Sequence, residues 1–397
     1  VMQDRELFER CYDRCRAKVG IHMKNTTPEV AEVRECPDGN YYEHEPGFAL
    51  AVRWNWLSSM SVGMPLLLAD FEKDKSYIEW ADKFYGEYDK KVSAYYTQTM
   101  HDLGFLYLPY SVMLYRLTGD EKHKRTALKA ATELAKRFNV TCRFIEAWDE
   151  MDLEETERRM IIDALMNTPL LLWAWKETGH MFYRDVAKAH ADTALRVLVR
   201  EDYSVKHAVF FNADGTVGAG ANNCGYSDDS HWARGTAWAI YGFALAAKFT
   251  GERRYLDAAE KIFAKYAECL GDGGKIPVWD FRLPKDKPAY KCHGEGDKAE
   301  WDESLAENVK YNRDSSAAAV VGCAALELAT LTGKSEYRDF AHQSLKELCD
   351  EYFDERENVA GMLMRANGRN VYAIYGDYYF LQLLLQILSD GTQTVCI

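Results

Sequence analysis

Helical hairpins account for most of the pattern of apolar and polar positions along the chain. In four places an apolar helix stops at a Thr-Gly pair, makes a short polar turn and continues as an amphipathic helix with Ala on its inner face. Gly directly after a helix end is the usual C-cap signal. These units begin at Tyr115, Trp175, Ala247 and Ala329. A fifth unit, residues 66–88, has Glu72–Lys75 in place of Thr-Gly.

The two ends of the chain supply a sixth pair. Residues 375–388 form an apolar helix with no outer helix after it, and residues 6–19 form an amphipathic helix with no inner helix before it. Repeated hairpins build a closed toroid or an open solenoid. Because the ends complement each other, the pattern predicts an all-α (α/α)6 barrel of six inner and six outer helices, with residues 1–397 as a single domain. Short strands are expected chiefly near residues 207–212 and 275–281.

Composition and charge narrow the function. The net charge of −13 argues against nucleic acid or an anionic membrane as the partner, and the 10 Trp and 25 Tyr suit the apolar faces of sugar rings. The longest apolar run, residues 317–331, contains Glu327 and reads as a buried helix. The ten Cys show no C-x-x-C pairing, and the His residues do not show the spacing that is typical of metal ligands. No metal or cofactor is therefore expected. Free thiols predict the cytoplasm, or the periplasm if a leader has been removed.

Two carboxylates stand out at the starts of consecutive inner helices, Asp102 in HDLGF and Asp163 in IIDALMN. Inner helices of such a barrel run in one direction, so their polar starts meet at one mouth, and Asp163 is predicted at the floor of a pocket. Two close carboxylates raise the pKa of one of them, which gives a proton donor near neutral pH for acid catalysis on a sugar. Simple helix capping stays open for each residue alone.

Residues 227–246 combine aromatic residues with a cation at a further helix start. Trp232 and Trp238 share roughly one side, and Arg234 between them needs an anion. That anion is either a substrate carboxylate or a structural partner, for which Asp228 and Asp229 are the candidates. The glycine-rich stretch 212–225 lacks the features of a phosphate loop and is expected to be a flexible loop.

The segments HDLGF, IIDALMN, DDSHWARGTAWAIYGFAL and YGDYYF resemble the unsaturated glucuronyl hydrolases of glycoside hydrolase family 88, in order, over residues 56–380. The resemblance implies an (α/α)6 barrel that removes the non-reducing-end 4,5-unsaturated glucuronate from lyase-generated, glycosaminoglycan-type oligosaccharides. Such enzymes hydrate a vinyl ether: the residue matching Asp163 protonates C4 and activates the water that adds at C5, and the one matching Asp102 supports it by hydrogen bonding.

The same resemblance implies a set of sugar-contacting residues. With Asn167, which shares the helix start of Asp163, they are expected to line the substrate site: Trp56, His101, Asn167, His207, Trp232, Arg234 and Trp238. The chain departs from the family at Cys224, Thr236 and Ser61, where Gln, Gln and Trp are usual. These departures leave linkage and sulfation preference open, and the oligomeric state is open as well.

Three alternatives remain from the sequence. An unsaturated rhamnogalacturonyl hydrolase would run the same chemistry on pectin fragments. An acylglucosamine 2-epimerase is also an α/α toroid but works with paired His. A non-catalytic sugar-binding protein would keep Trp232 and Arg234 but would not need Asp102 and Asp163 together.

Overall fold

The structure, a computed structural model, describes residues 2–28, 35–41, 55–94, 97, 99–149, 156–283, 290–291, 300–301 and 312–389. Six inner helices follow one another through these residues, and the second inner helix, α5, contains a π-helical turn at Leu108–Val112. The inner helices are α2 (Ser58–Glu72), α5 (Leu103–Tyr107, the π turn and Met113–Thr118), α7 (Thr168–Thr178), α9 (Ala233–Thr250), α11 (Ser315–Thr332) and α13 (Ile374–Leu388).

Within the described residues the outer layer has six members, as the sequence predicts. They are α1 (Met2–Asn25), the broken pair α3 (Lys75–Asp82) and α4 (Tyr85–Ser93), α6 (Glu121–Lys136), α8 (Met181–Val197), α10 (Arg253–Leu270) and α12 (Ser335–Glu347). Each inner helix packs against the next, and α13 packs against α2, so the ring closes. The N-terminal helix α1 packs on α13. The chain therefore folds as an (α/α)6 barrel.

The Thr-Gly pairs stop four inner helices by one repeated device. Gly119, Gly179, Gly251 and Gly333 have φ values of 72°, 72°, 72° and 73°, in the left-handed region that favours glycine. The preceding Thr hydroxyl donates to the carbonyl four residues earlier and accepts the backbone N–H two residues later, as Thr118 does with Leu114 at 2.6 Å and Asp120 at 3.1 Å. These caps turn the chain back onto the outer layer.

Helix α11 is long and apolar enough to cross a membrane by length and composition alone. In the barrel, 72% of it is buried. Its neighbours are α9, α12 and α13. The helix is therefore a core element, as its sequence predicts.

Short strands lie between the helices, and the three longest form an antiparallel sheet beside the barrel mouth. The strands are β1 (Glu35–Cys36), β2 (Phe138–Asn139), β3 (Phe144–Ile145), β4 (Arg159–Ile161), β5 (Ala208–Phe211), β6 (Val217–Ala221), β7 (Tyr290–Lys291), β8 (Glu300–Trp301) and β9 (Tyr372–Ala373). The sheet has the order β4-β5-β6.

The strands and bridges of the described residues test three sequence predictions. The strand expected near residues 207–212 is β5. The one expected near 275–281 is only a pair of isolated bridges, from Asp280 to Trp232 and from Val278 to Arg313. The glycine-rich stretch expected to be a flexible loop contains β6, which pairs with β5 in the sheet. That expectation was wrong.

Candidate active site

A cavity of about 530 Å³ opens where the inner helices begin. Its lining brings together the predicted site residues other than Asn167, with five neighbours from the same end of the barrel. The lining residues are Trp56, Met100, His101, Asp102, Phe105, Trp148, Ile161, Asp163, His207, Cys224, Trp232, Arg234 and Trp238. Residues from four separate repeats thus converge on one site, as expected for a barrel whose inner helices are parallel.

Asp102 is the more deeply buried of the two carboxylates, with 5% of its surface exposed. It stands at the cap position of α5, but its side chain caps no backbone N–H, so the capping alternative does not hold. Asn167 Nδ2 and His101 Nε2 each lie 3.2 Å from its Oδ1. Burial, and next the nearby charge of Asp163, raise the pKa of Asp102 to about 8.

Asp163 lies just before the inner helix α7, and not in its first turn, where the sequence analysis placed it. It sits in a single 3-10 turn, Ile162–Met166, between β4 and α7. This turn leaves a fifth of its side chain exposed in the cavity, and its Oδ2 has no hydrogen-bond partner among the described residues. Burial raises the pKa of Asp163 to about 6, while the positive charge of Arg234 opposes the rise.

Two neutral histidines face the two acids. His101 accepts the backbone N–H of Trp148 at Nδ1 over 3.3 Å, and His207 accepts that of Asn223 over 3.0 Å. Each ring proton is therefore on Nε2, directed at Asp102 in one case and, at 3.7 Å, at Asp163 Oδ2 in the other. Burial lowers the pKa of both imidazoles, that of His207 to about 3, so neither adds positive charge near neutral pH.

Asn167 corrects a sequence prediction, because it is fully buried behind Asp102 and does not line the cavity. Its Oδ1 accepts the backbone N–H of Phe105 at 2.8 Å while its Nδ2 donates to Asp102. A Cβ at Gly104 would lie 2.3 Å from the Asn167 Cα. The glycine of HDLGF thus lets α5 approach the start of α7 closely, and Asn167 positions Asp102 instead of contacting sugar.

Arg234 has a structural anion, but not one of the two that the sequence suggested. Its Nη1 donates to Asp314 Oδ2 and to Asn367 Oδ1, both at 2.9 Å. Asp229 instead binds Arg200 and Arg282. Asp314 was missed as the partner because it lies 80 residues further on, at the cap of α11, and only barrel closure brings it near.

Aromatic rings hold the Arg234 guanidinium in place. Its Cζ lies 4.5 Å from the centre of the Trp232 ring and 4.8 Å from that of Tyr375. Tyr375 also stacks on Trp56 at 5.6 Å. The buried indole N–H of Trp232 has no acceptor among the described residues. A ligand oxygen in the cavity would satisfy this donor.

Trp148 is a cavity residue that the sequence analysis missed. It has a positive φ of 60°, and its ring lies 5.8 Å from that of His101 and 6.5 Å from that of His207. It thus bridges the two histidines that face the acids. It belongs to a segment between repeats without periodicity, so no sequence signal identified it.

Of the three departures from the family pattern, only Cys224 lines the cavity. Thr236 is fully buried and its hydroxyl donates to the Trp232 carbonyl at 2.9 Å. Ser61 is buried within α2. Of these three positions, Cys224 is therefore the one placed to contact a bound substrate directly.

Comparison with known proteins gives consistent matches. The model of Glycosyl Hydrolase Family 88 matches residues 29–273. The unsaturated glucuronyl hydrolase of Bacillus sp. (strain GL1) is 31% identical over 347 residues, covering 84% of this chain and 86% of that protein. The unsaturated chondroitin disaccharide hydrolase of Streptococcus agalactiae serotype III is 31% identical over 352 residues, covering 84% and 82%. The Bacillus enzyme's crystal structure superposes with a TM-score of 0.83 at 28% identity, over 98% of each chain.

Proposed function

The chain belongs to Glycosyl Hydrolase Family 88, and from this premise we propose that it removes the non-reducing-end 4,5-unsaturated glucuronate from lyase-generated oligosaccharides of the glycosaminoglycan type. It is a glycosidase. Its relatives are named for unsaturated glucuronyl and chondroitin disaccharide substrates, which favours this reading over hydrolysis of pectin fragments. The substrate is a saccharide that contains an unsaturated uronate.

The observation that carries the proposal is the pair of carboxylates with raised pKa values in one aromatic cavity. A non-catalytic sugar-binding protein gains nothing from burying two acids, since burial of ionisable groups costs free energy. Asp163 is the proton donor because its carboxyl reaches the cavity and its pKa of about 6 keeps a useful protonated fraction near neutral pH.

The reaction adds water across the C4=C5 double bond. Asp163 transfers its proton to C4, and positive charge develops at C5 and on the ring oxygen. Asp163, now ionised, takes a proton from the water whose oxygen bonds to C5. The product is a hemiketal, which opens and releases the rest of the oligosaccharide, so the acid ends the cycle protonated.

Asp102 stays neutral, so that it places no second negative charge beside Asp163. Its pKa of about 8 keeps it neutral while Asp163 ionises. The negative charge that forms on Asp163 during the reaction therefore meets no second negative charge. The bonds from Asn167 and His101 hold Asp102 in this position.

Arg234 is the anchor for the substrate carboxylate. Asp314 and Asn367 occupy Nη1, and the stacked rings hold the guanidinium plane, so its other nitrogens keep a fixed direction. A pre-oriented guanidinium binds a carboxylate with little loss of side-chain entropy. A local cation is needed because the chain as a whole carries a charge of −13.

The proposal is tested by following the ultraviolet absorbance of the C4=C5 double bond on unsaturated disaccharides from chondroitin, hyaluronan, heparin, gellan and pectin. We expect the absorbance to fall fastest on a glycosaminoglycan-type disaccharide. Faster turnover of the pectin-derived substrate would support the rhamnogalacturonyl alternative. Binding without turnover on the whole panel would support a sugar-binding protein.

A further inference from the structure

A short strand from the chain segment between α1 and α2 reaches the start of the last inner helix. This strand, β1, pairs antiparallel with β9, and Glu35 lies opposite Ala373. Since β9 leads directly into α13, the pairing places Glu35 beside the first turn of that helix. The same turn contains Tyr375, whose ring lies on the Arg234 guanidinium. Glu35 has no part in the scheme above.

The Glu35 carboxylate accepts hydrogen bonds from two residues that contact Arg234. Its Oε1 lies 3.1 Å from the Tyr375 hydroxyl and 3.2 Å from Asn367 Nδ2. Burial and the charge of Glu35 raise the pKa of Tyr375 well above its usual value, so the hydroxyl keeps the proton that it donates. A single oxygen thus holds both the ring that packs on the guanidinium and the amide that is bonded to its Nη1.

Asn367 is the link between Glu35 and Arg234. Its Nδ2 donates to Glu35, and its Oδ1 accepts from Arg234 Nη1 at 2.9 Å. Its backbone N–H donates to Asp314 Oδ1 at 3.0 Å. Because a flipped amide would present an N–H group to the guanidinium, the bond to Glu35 favours the orientation in which the amide oxygen faces the arginine.

Glu35 also forms an ion pair with Arg369, through its other oxygen, Oε2. The Glu35 side chain is 23% exposed and that of Arg369 is 32% exposed, and an ion pair with this access to water contributes little to stability. The bonds from Tyr375 and Asn367 use Oε1 instead. The two roles of the carboxylate can therefore be separated by substitution.

We propose that Glu35 is a positioning residue for the reaction, which holds the Arg234 guanidinium in the orientation that binds the substrate carboxylate. This inference rests on the proposed function, in which Arg234 is the anchor for that carboxylate. Glu35 is not among the residues that line the cavity, so it acts through Tyr375 and Asn367. Its own negative charge weakens the attraction of Arg234 for a second carboxylate. What Glu35 contributes is therefore geometry.

The test measures how strongly the enzyme prefers a free carboxylate to its methyl ester. The readout is the ratio of the kcat/KM values for an unsulfated unsaturated chondroitin disaccharide and for the methyl ester of its uronate. An ester cannot form the charge-assisted pair with Arg234. We expect Glu35→Ala to lower this ratio about fivefold, the effect of about one hydrogen bond.

Glu35→Gln is the matched control, because it keeps an oxygen for Tyr375 and Asn367 and loses the charge that pairs with Arg369. Its ratio should stay at or above the wild-type value. Equal falls in Glu35→Ala and Glu35→Gln would mean that Glu35 acts only through its ion pair with Arg369. An unchanged ratio in Glu35→Ala would mean that Glu35 does not act on the anchor. Either result overturns the inference.

A further variant keeps the test decisive if Glu35→Ala does not fold. Tyr375→Phe keeps the ring and removes the hydroxyl that donates to Glu35, so it should lower the ratio about twofold. An unchanged ratio in Tyr375→Phe would then overturn the inference. These outcomes leave the proposed function intact. Absence of turnover of the free acid by the wild type contradicts the function itself, and equal wild-type rates on acid and ester contradict the anchor role of Arg234.

Discussion

Asp102 and Asp163 are the same residue type in the same cavity, yet the barrel treats them differently. Each has a neutral histidine N–H nearby, and burial raises the pKa of each. Asp102 is closed off by Asn167 and has a pKa of about 8. Asp163 keeps one oxygen without a partner among the described residues and has a pKa of about 6.

The difference in surroundings gives the two acids separate roles. Different cations oppose the rise of the two pKa values: Arg234 lowers that of Asp163, and Arg137 and Lys91 lower that of Asp102. Asp163 therefore titrates near the pH at which a catalyst must gain and lose a proton, and Asp102 stays neutral at that pH. Interacting acids titrate as a pair, so the two steps near pH 6 and pH 8 belong to the site as a whole.

The largest effect is expected from Asp163→Asn. The variant has no proton to give to C4, and kcat should fall by about 10²–10⁴-fold, the range typical of a general acid–base residue. Steady-state kinetics on an unsaturated disaccharide measures this. Asp185→Asn, an exposed residue on α8, is the matched control and should keep full activity. More than about a tenth of wild-type activity in Asp163→Asn would refute the assignment of the proton donor.

Arg234→Lys keeps the charge near Asp163 but loses the planar, stacked anchor. We expect KM for unsaturated uronates to rise by about 10–150-fold, the equivalent of ~1.5–3 kcal/mol for a charge-assisted hydrogen bond. The pH at which activity falls should stay near the wild-type value. Arg234→Gln removes the charge as well, so the pKa of Asp163 should rise and the fall should move to higher pH. If both variants have normal KM values and a lower Tm, Arg234 has only a structural role, as the ion-pair partner of Asp314.

Asp102→Asn should reduce kcat by about tenfold, less than loss of the proton donor. It should also remove the higher step, near pH 8, from the pH dependence of kcat/KM and keep the one near pH 6. An unchanged profile at high pH would show that the charge of Asp102 does not affect the reaction.

The same variant predicts a pH-dependent change in stability. The pKa of Asp102 is higher in the folded state, about 8, than in the unfolded chain, about 3.9, so the folded state binds more protons between these values. Wild-type stability therefore falls as the pH rises from about 4 to about 8, and Asn avoids that loss. Melting curves should show Tm of Asp102→Asn above that of the wild type at pH 8, with the gap closing towards pH 4.

The smallest effect is expected from Asn167→Ala. The variant leaves the Phe105 N–H without its acceptor in the core, which should lower the free energy of unfolding by about 1–3 kcal/mol. It also removes a hydrogen bond that holds the pKa of Asp102 down, so that pKa should rise. Denaturant titration measures the first effect and the pH profile the second. A loss of substrate affinity without either effect would mean that Asn167 contacts the sugar, as the sequence analysis expected.

The sequence by itself determined the repeat, and with it the fold and the mouth of the barrel. Thr-Gly stops and amphipathic helices are local signals, because a C-cap needs only neighbouring residues. Parallel inner helices then place every helix start at the same end, which was enough to bring Asp102, Asp163 and the aromatic residues to one cavity. The positions of Trp56, His101, His207, Trp232, Arg234 and Trp238 followed from the same rule and the family resemblance.

Only the tertiary structure decided how these residues are partnered. Asp314 meets Arg234 because the ring closes, Asn167 lies behind Asp102 because Gly104 permits close approach, and Trp148 reaches both histidines from a segment without periodicity. Contacts between residues far apart in the chain leave no local pattern. A pKa likewise depends on burial and on charges from several elements. The difference in pKa between Asp102 and Asp163 therefore arises only when the barrel is assembled.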